Sequence, residues 1–193
     1  MKPTLKPTLK RTFVFACLAL TASAGLAGAQ SPQPYAGLQA RAVKALSDEQ
    51  IADLKAGRGM GLAMAAELNG YPGPSHVLEL HKELGLNESQ RARVQDLFNA
   101  MKTETVPLGE RLIAQETGLD RQFAARAMTL ETLTSLIEAI GASQAKLRVA
   151  HLKYHLAMLD ILTPEQISRY GALRGYAAGA PAGHSPGMHN RAN

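Results

Sequence analysis

Two pentapeptides with the same pattern, 76 positions apart, constrain the fold of this chain more than any other feature. They are Leu86–Gln90 (LNESQ) and Leu162–Gln166 (LTPEQ). In each, a leucine precedes a residue that favours the N-cap of a helix, and a glutamine follows at the third helical position, where its side chain reaches back to the N–H of the cap. Pro164 stands at the first helical position, where its missing N–H costs nothing. The pattern predicts two helix starts, and Leu46–Gln50 repeats the same chemistry a third time.

Apolar residues after Asn87 recur at spacings of three or four positions, or at sums of these spacings. This pattern predicts a long helix followed by a return helix from Leu130. The predicted stripe comprises Val94, Leu97, Met101, Leu108, Leu112, Leu119 and Phe123, then Leu133, Ile137, Ile140, Leu147, Met158 and Leu162. Pro107 and Gly109 are expected to interrupt and kink the first helix. No segment has the pattern of a strand. The sequence therefore predicts an all-α fold, a long antiparallel helical hairpin with short flanking helices.

Shorter elements are predicted ahead of the hairpin. A helix is expected from Ser47, and the glycine cluster Gly57–Gly61 is interpreted as a flexible break, since no strand precedes it and its spacing matches no nucleotide-binding loop. Asn69–Pro74 is a dense turn signal. Ser75 is expected to cap a short helix, His76–Leu84.

The first 29 residues have the pattern of a secretory signal peptide, with a basic start, an apolar stretch and an A-x-A site at Ala27–Ala29. A membrane anchor is the competing interpretation, but the apolar stretch is shorter than the roughly 20 residues that a spanning helix needs. Lipoprotein processing at Cys17 is a second alternative. We expect a flexible leader over residues 30–45, a helical domain over 46–176 and a disordered tail over 177–193.

Composition excludes several classes of protein. Removing the four basic residues of the signal from the chain's 21 Lys and Arg leaves 17 against 16 Asp and Glu, a net charge of +1. A nucleic-acid partner is therefore not expected, nor is stable insertion into a membrane. The only cysteine leaves with the signal, which excludes a disulfide framework. Motifs for a nucleophile or a metalloprotease are lacking, so we expect no catalytic residues and no enzymatic activity.

The most concentrated chemistry lies in His151, His155 and Met158. At 100° per residue the three share the inner side of the return helix, and two imidazoles at i and i+4 can hold one metal ion. With the thioether they would favour Cu or Ni, and Zn is also a candidate. The alternative is that both histidines simply pack at a helix or dimer seam. The further candidate ligands that could complete a metal site are His76, Glu79, His81 and Glu83.

The paired pentads resemble the LTxxQ signatures of the Spy/CpxP family of periplasmic stress proteins, to which the heavy-metal sensors CnrX and ZraP are related. The resemblance runs from about Leu46 to Tyr176, and only Leu162–Gln166 matches the signature in full. The match to the nickel and cobalt sensors is partial, because this chain has His-xx-Met where they have His-xxx-Met and lacks their early histidine pair. The motif residues are Leu86, Asn87, Gln90, Leu162, Thr163 and Gln166.

The resemblance implies a cradle-like homodimer that holds unfolded or misfolded envelope proteins without ATP and requires no cofactor. Adaptable methionines and long-range attraction from arginines suit such a client surface. Each of these residues also has an ordinary interpretation as core filling or helix solubility. The candidate client-binding residues are Met60, Met64, Met101, Met128, Arg91, Arg93, Arg121 and Arg126. A periplasmic metal sensor or metal-binding protein, and an interaction protein with neither activity, are the alternatives.

Overall fold

The computed structural model describes residues 33–176. The expected signal peptide and C-terminal tail lie outside the described residues. The chain divides after Ala36, and of the first unit the structure describes only residues 33–36. These form a turn in which the N–H of Ala36 donates to the carbonyl of Gln33 at 3.0 Å.

From Gly37 to Tyr176 the chain consists of helices joined by turns and loops, and residues 33–176 contain no strand. Its α-helices are α1 (Asp48–Ala56), α2 (Met64–Glu67), α3 (Pro74–Glu79), α4 (Glu88–Ala124), α5 (Leu130–Met158) and α6 (Pro164–Leu173). At 1.5 Å per residue α4 is about 55 Å long. It packs against α5, and α1 and α3 pack on α4. The predicted all-α hairpin with short flanking helices is confirmed.

The expected interruption of the first long helix is wrong, whereas the expected kink at Pro107 stays a prediction. α4 runs without a break through Pro107 and Gly109. A proline inside a helix removes one backbone hydrogen bond, that from position 107 to the carbonyl of Thr103. Both Pro107 and Thr103 are exposed, so water can satisfy the carbonyl that is left unpaired, and the helix continues.

Gly109 has a packing role instead. It is buried on the side of α4 that meets α1, and a β-carbon built there would lie 2.5 Å from the carbonyl oxygen of Leu54. Only glycine lets the two backbones approach this closely. The preceding glycine cluster ends α1 as predicted, with Gly57 in the left-handed conformation at φ 65°.

Two groups of buried apolar residues hold the helices together. One, the end cluster, lies where α3, α6 and the adjoining ends of α4 and α5 meet. The other, the middle cluster, joins α1 to α4 and α5. The end cluster comprises Val77, Leu84, Val94, Met158, Ile161, Leu162 and Tyr170, and the middle cluster Leu54, Leu112, Ile140 and Leu147.

Three expectations about individual residues are corrected. Phe123 and Ile137 were placed in the buried stripe, but they are 55% and 49% exposed, because both lie beyond the middle cluster. Ser75 does not cap a helix, because the N-cap of α3 is Gly73 and the helix already starts at Pro74. It ends at Glu79 and is therefore shorter than predicted. Pro74 takes the first helical position, where its fixed φ favours a helix start.

The described part of the expected leader is partly packed. A 3-10 turn covers Leu38–Ala40, and Val43 is buried and forms an isolated bridge with Leu46. Within residues 33–176, no helix combines the length and the apolar character needed to cross a membrane.

Replacing Gly109 with alanine is expected to destabilise the fold. Helical Gly→Ala changes ordinarily stabilise by roughly 0.5–1 kcal/mol, but here the new methyl group would push α1 away from α4, at a cost of about 1–3 kcal/mol. Gly118→Ala in the same helix is the matched control, because nothing lies within 4 Å of a β-carbon at that position. Chemical denaturation should move the two midpoints in opposite directions. Equal stabilisation by both changes would contradict the close contact.

Candidate functional site

Each pentad forms the helix cap that its sequence predicts. The Asn87 side chain accepts from the N–H of Gln90 at 2.8 Å, and the amide oxygen of Gln90 accepts from the N–H of Asn87 at 3.1 Å. The second pentad repeats both bonds: the N–H of Gln166 donates to the Thr163 hydroxyl oxygen at 3.2 Å, and the N–H of Thr163 donates to the amide oxygen of Gln166 at 3.0 Å. Ser47 and Gln50 form the same capping box at the start of α1.

The two pentads also contact each other through their glutamines, which the sequence did not predict. Gln90 Nε2 donates to Gln166 Oε1 at 2.8 Å, and Gln166 Nε2 donates back to Gln90 Oε1 at 3.2 Å. Each Nε2 also donates to a backbone carbonyl, that of Ile161 at 2.9 Å and that of Leu84 at 3.4 Å. This reciprocal amide pair joins the starts of α4 and α6. We call it the glutamine clasp.

The leucines of the pentads anchor the clasp in the core. Leu162 is buried in the end cluster, and Leu86 packs against that cluster from the other pentad. The leucine thus fixes the chain before each cap, the cap starts the helix, and the glutamine ties the two starts together. The one pattern performs three structural tasks.

A cleft with a volume of about 740 Å³ opens between the α1–α3 segment and the hairpin. Met60, Met64 and Met101 line it together, as do His151 and His155. Met60 and Met64 are exposed, whereas Met101 is buried. The structure therefore gathers three of the four candidate methionines and both candidate histidines of α5 around one space.

His151 is 2% exposed and its Nε2 atom is buried without a hydrogen-bond partner among the described residues. Its ring lies against Gly59, where a β-carbon would come 3.5 Å from Nδ1. Burial, and then the charge of neighbouring His155, lower the pKa of His151 to about 4. The imidazole is therefore uncharged at neutral pH.

His155 has a defined tautomer. Its Nδ1 lies 2.8 Å from the carbonyl oxygen of Tyr71, and a carbonyl can only accept, so Nδ1 carries the hydrogen. In the neutral ring Nε2 is then a bare acceptor. Gly73 leaves room for the ring, because a β-carbon there would lie 2.8 Å from Cε1.

Glu67 joins the cleft to α6. It accepts from the hydroxyl of Tyr170 at 2.7 Å and lies 3.1 Å from His76 Nδ1. Burial raises the pKa of Glu67, but the hydrogen bonds from His76 and Tyr170 and the charges of His76 and His155 outweigh it, so the pKa lies below its usual value. Burial and the bond to Glu67 raise the pKa of Tyr170.

The candidate metal ligands separate only in part, since His76 and Glu79 line the cleft together with His151 and His155. His151 and His155 line the cleft, but Met158 is fully buried in the end cluster. His76 bonds Glu67, and His81 Nδ1 lies 2.8 Å from the carbonyl of Leu78. Glu79 lines the cleft and Glu83 is exposed. Within the part of the chain that the structure describes, no three His, Cys, Asp or Glu side chains are grouped to hold a metal ion.

The candidate arginines lie at the two ends of the hairpin. Arg91 pairs with Glu88 at 3.0 Å, and Arg93 donates to the carbonyl of Asp160 at 3.2 Å, both near the glutamine clasp. Arg121 is in the last turn of α4, and Arg126 follows it with φ 53°. The fourth methionine, Met128, is half-buried at this same turn between α4 and α5. The tip of the hairpin is thus separate from the cleft.

These features define an all-helical protein in which paired, leucine-led caps close a long hairpin. The model of the LTXXQ motif family matches residues 75–174. The chain belongs to this family, as the resemblance to the Spy/CpxP proteins predicted, and members of the family are typically periplasmic. No curated protein and no solved structure matches the chain significantly.

The glutamine clasp predicts that Gln90 and Gln166 act as a coupled pair. Each change to alanine should cost about 1–2 kcal/mol, because it removes the capping bond and the amide bonds to the other pentad. The double change should cost less than the sum, with a coupling of about 1 kcal/mol. Urea denaturation of the four proteins measures this cycle.

Gln50→Ala is the matched control, because Gln50 makes the same capping bond at the start of α1 and lacks a partner glutamine among residues 33–176. It should cost less than either clasp change. Strict additivity of Gln90→Ala and Gln166→Ala would show that the two amides do not interact.

Stability is expected to fall as the pH is lowered from 6.5 towards 4, through His151. Between pH 6.5 and pH 4 the unfolded chain binds a proton at His151 and the folded chain does not, so acid favours unfolding. Above pH 6.5 His151 is uncharged in both states, and the free energy of unfolding no longer changes with pH through this residue. The expected loss is about 2 kcal/mol between pH 7.5 and pH 5. The denaturation midpoint should depend less on pH across this range in His151→Phe, and its pH dependence should be unchanged in His81→Phe. An unchanged slope in His151→Phe would refute the assignment.

Proposed function

We propose that this protein is exported to the periplasm and acts there as an ATP-independent chaperone or envelope-stress adaptor that binds unfolded or misfolded proteins. Membership of the LTXXQ motif family supports the class of protein and its compartment. A cleavable signal over residues 1–29 is part of the proposal. Binding rather than catalysis is proposed, with no cofactor requirement and no nucleic-acid partner.

The observation that carries the proposal is the amount of large apolar surface that the described residues leave exposed. One such surface lies on the outer side of α5, where Val149 and Leu156 are 62% and 60% exposed. Another is the rim of the cleft, with Met60, Met64 and Leu68. Exposed apolar patches of this kind mark sites of interaction with other proteins.

A second copy of the chain is the proposed partner of α5. The apolar residues of its outer side alternate in spacings of three and four, which is the pattern of a coiled-coil seam. They are Ala142, Ala145, Val149, Leu152, Leu156 and Leu159. A homodimer joined along this seam would cover the α5 surface and leave the cleft and the hairpin tip for clients. The tip offers exposed Phe123 and Leu130 beside Arg121 and Arg126.

A periplasmic metal sensor or metal-binding resistance protein is the second candidate. It is favoured by the position of His151 and His155 in one cleft, one helical turn apart. Neutral imidazoles bind Cu, Ni or Zn ions. The cleft would have to close around the ion to bring a third ligand to it, since the described residues are not already grouped for one.

The deciding experiment measures aggregation of a chemically unfolded client with the exported protein, with and without Cu²⁺, Ni²⁺ or Zn²⁺. We expect suppression at near-stoichiometric ratios that does not depend on metal, and sedimentation of the same samples as a dimer at tens of micromolar. Val149→Lys with Leu156→Lys should give a monomer, because two charges would face each other across the seam.

Each outcome bears on a different part of the proposal. No suppression of aggregation would remove the chaperone role. Submicromolar binding of one ion per protomer, lost in His151→Gln with His155→Gln, would make the metal sensor the better assignment. A monomeric wild-type protein would remove the dimer.

A further inference from the structure

The turn between α2 and α3 contains the dipeptide Asn69–Gly70, and no other asparagine in the sequence is followed by glycine. We propose that Asn69 is a modification site, at which the folded chain deamidates spontaneously and thereby loosens the end of α2. This inference goes beyond the proposed function and does not depend on it.

Deamidation at this dipeptide needs no reactant except water. The backbone nitrogen of Gly70 loses its hydrogen to solvent and attacks Cγ of Asn69, the bond from Cγ to Nδ2 breaks, and ammonia leaves after taking up a proton from water. Water then opens the five-membered succinimide ring at either of its two carbonyls. Opening at Cγ gives aspartate, and opening at the backbone carbonyl gives isoaspartate, whose main chain runs through the β-carbon. Glycine favours ring closure because it has no β-carbon to shield the attacking nitrogen.

The structure leaves this dipeptide accessible to water. Asn69 and Gly70 are both exposed. The N–H of Gly70 donates to the carbonyl of Glu67 at 3.4 Å, which is long for a hydrogen bond, so its hydrogen is only weakly held. Nothing lies within 4 Å of a β-carbon built at Gly70, so the atoms that move during ring closure have room.

The helix before the dipeptide is short and mostly exposed. α2 spans four residues, no side chain caps its start, and none of its residues is buried. Segments with few buried contacts open at low free energy. Local opening at the end of α2 therefore lets Asn69 rotate into the geometry that ring closure needs.

Asn87 and Asn99 serve as internal comparisons within the described chain. Oδ1 of Asn87 accepts from the N–H of Gln90 at 2.8 Å, and Oδ1 of Asn99 accepts from the Gln95 side chain at 3.0 Å. The residues that follow these two asparagines carry β-carbons and belong to the continuous helix α4. Both asparagines should therefore resist deamidation.

Two hydrogen bonds at the dipeptide would be lost on its conversion. Asn69 Nδ2 donates to the carbonyl of Ala65 at 2.8 Å, and the N–H of Tyr71 donates to the carbonyl of Ala66 at 3.0 Å. A carboxylate at position 69 has no hydrogen to donate to Ala65, so the first bond is lost in either product. Isoaspartate also lengthens the main chain between Ala66 and Tyr71, which removes the second bond.

The segment after the dipeptide is fixed, so the end of α2 must accommodate the change. Pro72 and Pro74 are fully buried, and His155 Nδ1 donates to the carbonyl of Tyr71 at 2.8 Å. We expect this segment to stay in place while the end of α2 loosens. Leu68, which lines the cleft and follows α2, would become more mobile.

Peptide mapping by mass spectrometry of the exported protein, incubated in mildly alkaline buffer, measures deamidation at each asparagine. We expect Asn69 to deamidate at least tenfold faster than Asn87 or Asn99, and methylation by an isoaspartyl methyltransferase to detect isoaspartate there. The same protein unfolded in guanidinium chloride gives the rate of the unrestrained dipeptide. A folded-state rate at Asn69 within tenfold of that rate supports the inference, and a slower one would overturn it.

Amide hydrogen exchange before and after incubation tests the effect on α2. Exchange at Tyr71 should become at least tenfold faster in the incubated wild type, while exchange at Val94 stays unchanged. Asn69→Gln is the matched control, because glutamine would have to close a larger ring and reacts far more slowly, so its exchange should not change on incubation. Unchanged exchange at Tyr71 in fully deamidated protein would refute the loosening of α2.

Discussion

The glutamine clasp sets the position of α6, and the cleft depends on that position. Gln90 and Gln166 each complete a helix cap and also bond each other, so separating the starts of α4 and α6 would break both amide bonds between them. With α6 held there, the hydroxyl of Tyr170 reaches Glu67 at 2.7 Å. Glu67 in turn holds His76 and so fixes α2 and α3 as one wall of the cleft. The same glutamines that cap two helices thus also fix how separate helices pack together.

Much of the fold follows from local sequence signals, and the failures have a common cause. Asn87, Thr163 and Ser47 were predictable caps because each bonds a residue only three positions away. Pro107 was expected to interrupt α4 because the loss of its backbone hydrogen bond can be read from the local sequence. The exposure of Thr103 and the packing of α1 on Gly109 cannot be read from the local sequence. The clasp was missed for the same reason, since its two residues are 76 positions apart.

The site was predictable only in part. Helical spacing placed His151 and His155 on the inner side of α5, where the structure has them. The same spacing gave Met158 the direction of Ile140, and both are core residues, so that register indicated packing more strongly than metal binding. Nothing in the spacing could show that Tyr71 fixes the tautomer of His155 or that Glu67 and Tyr170, 103 positions apart, meet at the cleft. Such contacts depend on how separate segments fold together.

Buried apolar residues are unevenly distributed along the hairpin, so its two ends should differ in how easily they unfold locally. Both buried clusters lie towards the clasp and the middle, while Phe123 and Leu130 at the tip are exposed. Because regions with few buried contacts open at lower free energy, amide hydrogens near Ala124 should exchange with solvent well before those near Val94, although both belong to one continuous helix. The hairpin would then fray from its tip while the clasp end stays folded, which gives one helix a rigid half and a compliant half.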